Sequence, residues 1–156
     1  MSDKLAPMEA AVEQIAIAAV HEELPVAVER VRVVAGLGVV GDRNHTPGGA
    51  GSGEALTLIA AEALEGLRAD GIPLSHQESR RNVLTRGTDL DALVGRRFRV
   101  GEVVCRGVEL CDPCAHLQRL TRPGVLRGLA GRGGLRADVL VGGTIAVGDP
   151  VRPDGD

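Results

Sequence analysis

Apolar and polar residues alternate most clearly along residues 26–34, VAVERVRVV, a stretch that is also rich in β-branched valine. This alternation predicts a half-buried β-strand. Residues 55–59, ALTLI, predict a short strand, and residues 60–72 place apolar side chains at helical spacing before a stop at Gly71. For residues 10–20 the sequence does not decide between a helix and a strand. Their alanine content favours a helix, whereas their Val-x-x-Ile-x-Ile spacing favours a strand.

Short strands also dominate the second half of the chain. Glycines divide residues 79–110 into several strands with at most one helical turn. Residues 112–134 predict a helix that a proline breaks into two pieces. Residues 137–151 predict a β-hairpin of two valine-rich strands joined through Gly142 and Gly143.

Regular helices do not separate these strands, and this pattern decides the expected fold class. We expect a mainly β fold of the α+β type: a closed β-barrel with a few peripheral helices, in a single domain. Residues 36–55 hold seven glycines and one proline and predict a long loop. Loops of that length in a compact domain are usually functional or mobile.

Composition removes several classes of function. The 156 residues carry a net charge of −3, no Trp or Tyr and one Phe, so nucleic-acid binding through a basic patch or stacked rings is not expected. The only lysine is Lys4, so a Schiff-base mechanism with pyridoxal phosphate is not expected either. No apolar run reaches the roughly 18 residues of a membrane span, and the acidic N-terminus does not resemble a secretory signal. Three cysteines are an odd count, which indicates a reducing cytoplasm.

The segment CDPCAH, residues 111–116, holds the richest chemistry of the chain. Asp112 is a suitable N-cap and Pro113 suits the first helical position. Cys114 is therefore expected in the first turn of a helix, where unpaired backbone N–H groups lower the pKa of a thiol.

The residues alone leave four interpretations of this segment open. One is a structural zinc site, although a single C-x-x-C pair with a distant cysteine is not a double C-x-x-C signature. Its ligands would be Cys105, Cys111, Cys114 and His116. The second is a thioredoxin-like dithiol, for which the order of elements is wrong, and the third is a buried cysteine pair that packs as small hydrophobes. The fourth, which we favour, is a single activated thiolate at Cys114 that acts as a metal ligand or a sulfur carrier.

Arginines cluster in three segments that suit an anionic ligand. Residues 80–82, Arg-Arg-Asn, stand at a loop-to-strand junction, and Arg132 and Arg136 surround a Gly-Gly pair whose backbone can approach a ligand closely. Arg43 and His45 lie at the edge of the glycine-rich loop. Together with a thiolate at a helix start, these residues predict a pocket for a phosphorylated, anionic, sulfur-linked ligand.

Six motifs, in this order, resemble the MOSC domain family, which is named from the C-terminal domain of molybdenum cofactor sulfurases. They are G-x-G-x-x-G-D-R-N-H (36–45), R-R-N-V (80–83), L-x-x-L-V-G-R-R-F-R-V-G (90–101), C-D-P-C-A-H-L (111–117), G-R-G-G-L-R-A (131–137) and G-G-x-I-x-V-G-D (142–149). The resemblance covers residues 12–152, so residues 1–11 and 153–156 are expected to be tails. The chain looks most like the small stand-alone bacterial members.

This resemblance implies a β-rich barrel that binds the molybdenum cofactor (molybdopterin) or carries sulfur for metal–sulfur centres. By the match of motifs, Cys114 corresponds to the family's metal ligand or persulfide carrier. Arg81 and Asn82 correspond to residues that hold the pterin or its phosphate. The further candidates for the cofactor-binding site are Arg80, Arg43, His45, Gly134, Arg136 and His116.

The chain departs from larger proteins of the family in two ways. It holds neither the pyridoxal-phosphate cysteine desulfurase domain of sulfurases nor the N-terminal β-barrel domain of the molybdenum oxidoreductases. Sulfur is therefore expected from a separate cysteine desulfurase-type donor, or electrons from a separate redox partner. The leading hypothesis is a cofactor-binding or sulfur-carrier domain. The alternatives are a small molybdoenzyme that reduces N-hydroxylated compounds and a non-enzymatic anion-binding module with structural cysteines.

Overall fold

The computed structural model describes residues 9–20, 23–42, 45, 51, 53–111 and 115–154, with residues 115 and 116 described by their backbone alone. The strands are β1 (Ala11–Ile17), β2 (Val26–Val28), β3 (Arg30–Val34), β4 (Gly38–Val39), β5 (Leu56–Ala60), β6 (Val83–Arg86), β7 (Arg97–Val100), β8 (Val103–Leu110), β9 (Leu135–Val141), β10 (Gly143–Ala146) and β11 (Val151–Pro153). The helices are α1 (Ala61–Ala69), α2 (His76–Ser79), α3 (Ala115–Leu120) and α4 (Val125–Gly128), and a 3-10 turn spans Leu90–Leu93.

The strands form two sheets. Eight of them follow the order β11-β7-β8-β9-β5-β6-β1-β2, and the other three follow the order β10-β3-β4. Strands β5 and β6 are parallel, and α1 and α2 lie between them in the chain. The main hydrophobic core joins the two sheets, with Leu58 and Leu135 from the large sheet and Val33 and Ile145 from the small one.

Alternation along the strands determines what each face of the large sheet contacts. In β9, Leu135 and Ala137 are buried in the main core, whereas the half-buried Arg136 belongs to the opposite face. On that opposite face, Ile59 and Leu84 begin a second apolar cluster that the helices cover. The helices contribute Ala61, Leu64, Leu67, Leu117, Val125 and Leu129.

The expectation of a closed barrel is wrong. The large sheet is open, with β11 and β2 as its edge strands. The chain just before β11 approaches β1 through one isolated bridge, between Ala11 and Pro150. Backbone hydrogen bonds flank this bridge, from the N–H groups of Val12, Gly148 and Val151 to the carbonyl oxygens of Asp149, Val12 and Ala10, each over 2.9 Å. They do not form a strand ladder between β11 and β1, so the sheet stays open. The fold is a mixed α+β structure of an eight-stranded and a three-stranded sheet with four helices.

Two predicted strand units are divided between the sheets. Residues 26–34 break at Glu29, so that β2 pairs with β1 in the large sheet and β3 pairs with β10 in the small one. The predicted hairpin is wrong for the same reason, because β9 pairs with β5 and β8 instead of β10. A Cβ atom at Gly142 would lie 2.5 Å from the Val33 carbonyl oxygen, so this glycine is needed where the chain crosses from one sheet to the other.

Most of the remaining elements agree with the pattern, and helix α2 is the exception. Residues 10–20, left open between helix and strand, contain strand β1 (Ala11–Ile17), and α1 is followed by Gly71 with a φ of 86°. The helical segment after the cysteines is divided into α3 and α4. Helix α2 was not expected, although Ser75 and Glu78 form a capping box at its start. The described part of the glycine-rich loop contains the short strand β4.

Candidate functional site

Arg81 and the cysteine segment meet at the Gly133–Gly134 pair. The Arg81 Nε atom donates a hydrogen bond to the Gly133 carbonyl oxygen over 2.9 Å. The Cys111 N–H donates to the Gly134 carbonyl oxygen over 2.7 Å. Three motifs that are far apart in the sequence therefore come together, and we call Arg81, Gly133, Gly134 and Cys111 the arginine–cysteine corner.

Both glycines are required by the close approach of neighbouring chain segments. At Gly134, φ is 110° and a Cβ atom would lie 2.2 Å from the Leu58 carbonyl oxygen. At Gly133, a Cβ atom would lie 2.7 Å from the Cys111 carbonyl oxygen. A side chain at either position would push the start of β9 away from β5 or from the cysteine segment.

The turn that presents Arg81 has an unusual backbone. Arg80, with a φ of 63°, is the one non-glycine residue with positive φ among those that the structure describes. It ends α2, and its guanidinium donates to the Glu23 carbonyl oxygen over 2.6 Å. The two adjacent arginines, predicted as a pair, thus contact different parts of the molecule.

Asn82 is 5% exposed and connects three strands. Its Oδ1 atom accepts hydrogen bonds from the N–H and the hydroxyl of Thr57, both at 3.2 Å. Its Nδ2 atom donates to the Ala16 carbonyl oxygen over 3.2 Å. The amide therefore ties β6 to β5 and β1.

Arg136 lies in the same row across the sheet. It is the register partner of Thr57 in β5 and of Glu109 in β8. Its guanidinium makes no hydrogen bond or ion pair with another described residue. Gly53 lies against it, since a Cβ atom there would be 3.2 Å from the Arg136 Cβ, and the Gly53 N–H donates to Asp138 Oδ1 over 2.7 Å. Arg136 therefore lies beside the end of the glycine-rich loop, with Thr57 and Glu109 as its neighbours on the adjacent strands.

Arg132, the other arginine of the glycine motif, belongs to the helical side of the molecule. Its Nε atom donates to the Gly128 carbonyl oxygen and its Nη2 atom to Asp70, each over 2.7 Å. Arg132 and Gly134 line a hollow of about 300 Å³. Arg132 therefore links the end of α4 to the end of α1, and its guanidinium forms an ion pair with Asp70.

His45 is attached to the end of β1. Its N–H donates to the Asp42 carbonyl oxygen over 3.0 Å, and Asp42 Oδ1 accepts from the Ala18 N–H over 3.0 Å. The His45 Nε2 atom is buried and has no hydrogen-bond partner in the described part of the chain. Arg43, predicted beside it, lies outside the described residues.

The cysteines differ sharply in what surrounds them. Cys105 is fully buried in the main core, opposite Phe98 and Val139, and burial raises the pKa of its thiol to about 12. A thiol of that pKa is not ionised at neutral pH, which argues against Cys105 as a zinc ligand or a sulfur carrier. Cys111 is 4% exposed. Cys114 lies outside the described residues, as does the side chain of His116.

The described residues offer no preformed metal cage, since no three His, Cys, Asp or Glu side chains among them are grouped to hold an ion. The helices described here are also too short or too polar to span a membrane.

Sequence reasoning missed a buried histidine behind Arg81. His76 is 4% exposed, and its Nδ1 atom lies 3.3 Å from Gln14 Oε1. Burial lowers its pKa to about 4, although a backbone hydrogen bond with Arg81 acts in the opposite direction. No motif pointed to His76. Thr57 was detectable as the one polar residue within the apolar strand ALTLI.

Comparisons with known proteins identify the family. Residues 45–152, more than half of the chain, match the family model of the MOSC domain. The chain therefore belongs to the MOSC domain family, which is associated with molybdenum cofactor binding. No curated protein sequence matches the chain.

Several solved structures share its fold. The crystal structure of the YuaD protein from Bacillus subtilis aligns with a TM-score of 0.78 at 20% identity, over 92% of this chain and 94% of that one. YiiM from Geobacillus stearothermophilus aligns with a TM-score of 0.69 at 17% identity, over 94% of this chain and 75% of that one. YiiM from Escherichia coli aligns with a TM-score of 0.67 at 18% identity, over 96% and 71%.

Proposed function

We propose that this protein binds the molybdenum cofactor and carries sulfur on Cys114, which it receives from a separate cysteine desulfurase-type donor. The supporting observation is the arginine–cysteine corner. The Arg81 guanidinium is bonded to Gly133, and the N–H of Cys111, three residues before Cys114 in the sequence, is bonded to Gly134. A cation is thereby held beside the start of the segment that carries the thiol.

The chemistry of the available donors fits this cofactor. Its phosphate is an anion that guanidinium groups bind through paired N–H donors, and Arg81 and Arg136 are the candidates to hold it. Its metal is thiophilic, so a thiolate at Cys114 is the suitable protein ligand. When bound, the cofactor supplies two-electron redox chemistry at its metal. Asn82, committed to three strands, fixes the start of β6 and so orients Arg81.

The carrier step is a thiol–persulfide exchange. The Cys114 thiolate attacks the terminal sulfur of the donor's persulfide, an S–S bond forms at Cys114, and the donor cysteine leaves as a thiolate. The terminal sulfur only changes its partner, so no further oxidant or reductant is consumed. A guanidinium near the thiol favours the thiolate that performs this attack.

Incubation with cysteine and a cysteine desulfurase, followed by peptide mass spectrometry, tests the carrier role. We expect Cys114 to gain about 32 Da, the mass of one sulfur atom as a persulfide. The buried Cys105 should stay unmodified. Cys114→Ser should remove the adduct, and the matched variant Cys111→Ser should retain it. An adduct that stays when Cys114 is replaced would contradict the assignment.

Metal analysis tests the cofactor half separately. We expect molybdenum in the protein purified from its native host, and its loss in Arg81→Gln. A metal-free protein whose Cys114→Ser variant binds inorganic phosphate as well as the wild type would instead be an anion-binding module with structural cysteines.

A further inference from the structure

A hollow of about 370 Å³ opens at one end of the small sheet, where β3 ends and β10 begins. Residues 32–35 line it on one side and residues 142–144 on the other, and the Glu102 side chain reaches it from the turn between β7 and β8. Its volume is at the small end of the range for ligand pockets, about 300 to 1,000 Å³. None of its lining residues belongs to the arginine–cysteine corner, so it is a separate candidate site.

The Glu102 carboxylate is held against the backbone of β10. Its Oε2 atom accepts a hydrogen bond from the Thr144 N–H over 2.7 Å. A Cβ atom at Gly143 would lie 2.6 Å from the same oxygen, so a glycine is needed for the carboxylate to lie there. The Oε1 atom accepts no hydrogen bond from another described residue. One carboxylate oxygen is therefore fixed in position while the other is open to a donor.

Arg32 supplies the opposite charge from β3. It is the register partner of Thr144 in the ladder between β3 and β10. Both residues are exposed, because alternation along the two strands turns Val33 and Ile145 into the main core instead. The Arg32 guanidinium forms no ion pair or hydrogen bond with Glu102 or with another described residue. The lining of the hollow thus contains a cation and a carboxylate that do not neutralise each other.

These two charges determine which ligand the hollow fits. A simple anion is attracted by Arg32 but repelled by Glu102, and a simple cation meets the reverse arrangement. A small zwitterion satisfies both residues, because its carboxylate pairs with the guanidinium while its ammonium group donates to Glu102 Oε1. Gly142 and Gly143 line the hollow without side chains, which leaves room for such a molecule.

We propose that this hollow binds a small zwitterionic amino acid, with Arg32 at its carboxylate and Glu102 at its ammonium group. The inference goes beyond the proposed function and does not depend on it, since neither residue takes part in the carrier site. Both charged residues are exposed, so water and salt weaken these contacts. For a ligand of this size we expect a Kd on the order of 1 mM.

NMR titration of the isotope-labelled full chain with L-alanine tests the site on the wild-type protein. We expect the backbone amide signals of Gly143 and Thr144 to shift and to saturate. L-Alaninamide lacks the carboxylate and N-acetyl-L-alanine lacks the ammonium group, so each should bind more weakly than alanine by roughly fivefold or more. Equal affinities for the three probes, or no saturable shift with alanine, would overturn the proposal.

Two variants assign the two charges to their residues. Arg32→Gln should weaken alanine binding by roughly fivefold or more, and so should Glu102→Gln, whose amide oxygen can still accept the Thr144 N–H. The matched control is Arg30→Gln, which removes another exposed arginine of β3 and should leave the affinity unchanged. Unchanged affinity in Arg32→Gln or Glu102→Gln, or an equal loss in Arg30→Gln, would show that these two residues do not hold the ligand.

Discussion

Strand β8 carries a cysteine towards its start and leads to another just beyond its end, and the two lie in opposite environments. Cys105 lies among aliphatic side chains of the main core, where burial raises its thiol pKa to about 12. Cys111 lies at the arginine–cysteine corner, with its N–H bonded to Gly134 and its carbonyl oxygen close to Gly133. The same residue type therefore lies in the apolar core near the start of β8 and at the arginine–cysteine corner just beyond its end.

The comparison shows that neighbours determine the chemistry of a thiol. Around Cys105 the partners are Phe98 and Val139, which offer neither charge nor hydrogen bonds. Near Cys111, the Gly134 carbonyl oxygen accepts a hydrogen bond from the Cys111 N–H, and the carbonyl oxygen of the adjacent Gly133 accepts one from the Arg81 guanidinium. The low polarity around Cys105 favours its neutral thiol.

The largest expected effect comes from breaking the corner at Gly134. Gly134→Ala places a methyl group 2.2 Å from a backbone oxygen at a φ of 110°, so β9 must shift away from β5. We expect a loss of about 4 kcal/mol in the free energy of unfolding, from the strained backbone and the clash together. Urea denaturation measures it.

Gly131→Ala is the matched control for this change. Gly131 has a φ of 77°, and nothing lies within 4 Å of a Cβ atom there, so we expect a cost of only about 1 kcal/mol. Equal costs for the two variants would show that the close approach of β9 and β5 at the corner is not needed for the fold.

The next largest effect is the pH dependence of the unfolding free energy that comes from His76, the buried histidine near Arg81. The folded-state pKa of His76 is about 4 and its ordinary value is 6.5, so below pH 6.5 the unfolded chain takes up a proton that the folded protein does not. Stability is therefore complete above that value and falls as the pH drops towards 4, by about 3 kcal/mol in total from this group. His76→Gln should remove this part of the slope in urea denaturation series between pH 7 and 4. An unchanged slope would mean that His76 is not buried in its neutral form.

At the other end of β8, Cys105→Ser should cost about 2 kcal/mol in unfolding free energy, because a hydroxyl would be buried without a hydrogen-bond partner. Cys105 should also resist iodoacetamide in the folded protein and react once urea is added. Rapid alkylation of Cys105 in the folded state would contradict the distinction between the two ends.

The local pattern of apolar and polar residues was sufficient to predict elements that depend on neighbouring residues in the chain. Helix α1 and strand β5 follow from spacing alone, because one burial face decides each of them. The predictions of a barrel and a hairpin were wrong, because the chain passes from one sheet to the other at Glu29 and at Gly142, at points that look like ordinary strand and turn. Strand partnership is a long-range choice that alternation does not encode.

The candidate site shows the same division. Motif spacing pointed to Arg81 and Asn82, yet only the structure shows that the Asn82 amide is taken up by Thr57 and Ala16 while Arg81 reaches Gly133. From the sequence, both residues were predicted to bind a ligand, because residue type does not reveal which polar groups already form hydrogen bonds within the fold. Hydrogen-bond partners in three dimensions decide that question.

The smallest effect on stability is expected at Arg136. This residue also tests most directly whether a polar side chain without a partner among the described residues binds the anion. Its guanidinium makes no hydrogen bond or ion pair within the described chain, so Arg136→Gln should change the free energy of unfolding by no more than about 0.5 kcal/mol. Removing a charge-assisted hydrogen bond to an anion should nevertheless weaken the binding of inorganic phosphate by roughly fivefold to tenfold, measured by titration calorimetry. Arg96→Gln, which removes an exposed arginine of the 3-10 turn region, should leave phosphate affinity unchanged. If wild type, Arg136→Gln and Arg96→Gln bind phosphate with equal affinity, the anion does not bind beside Thr57 and Arg136.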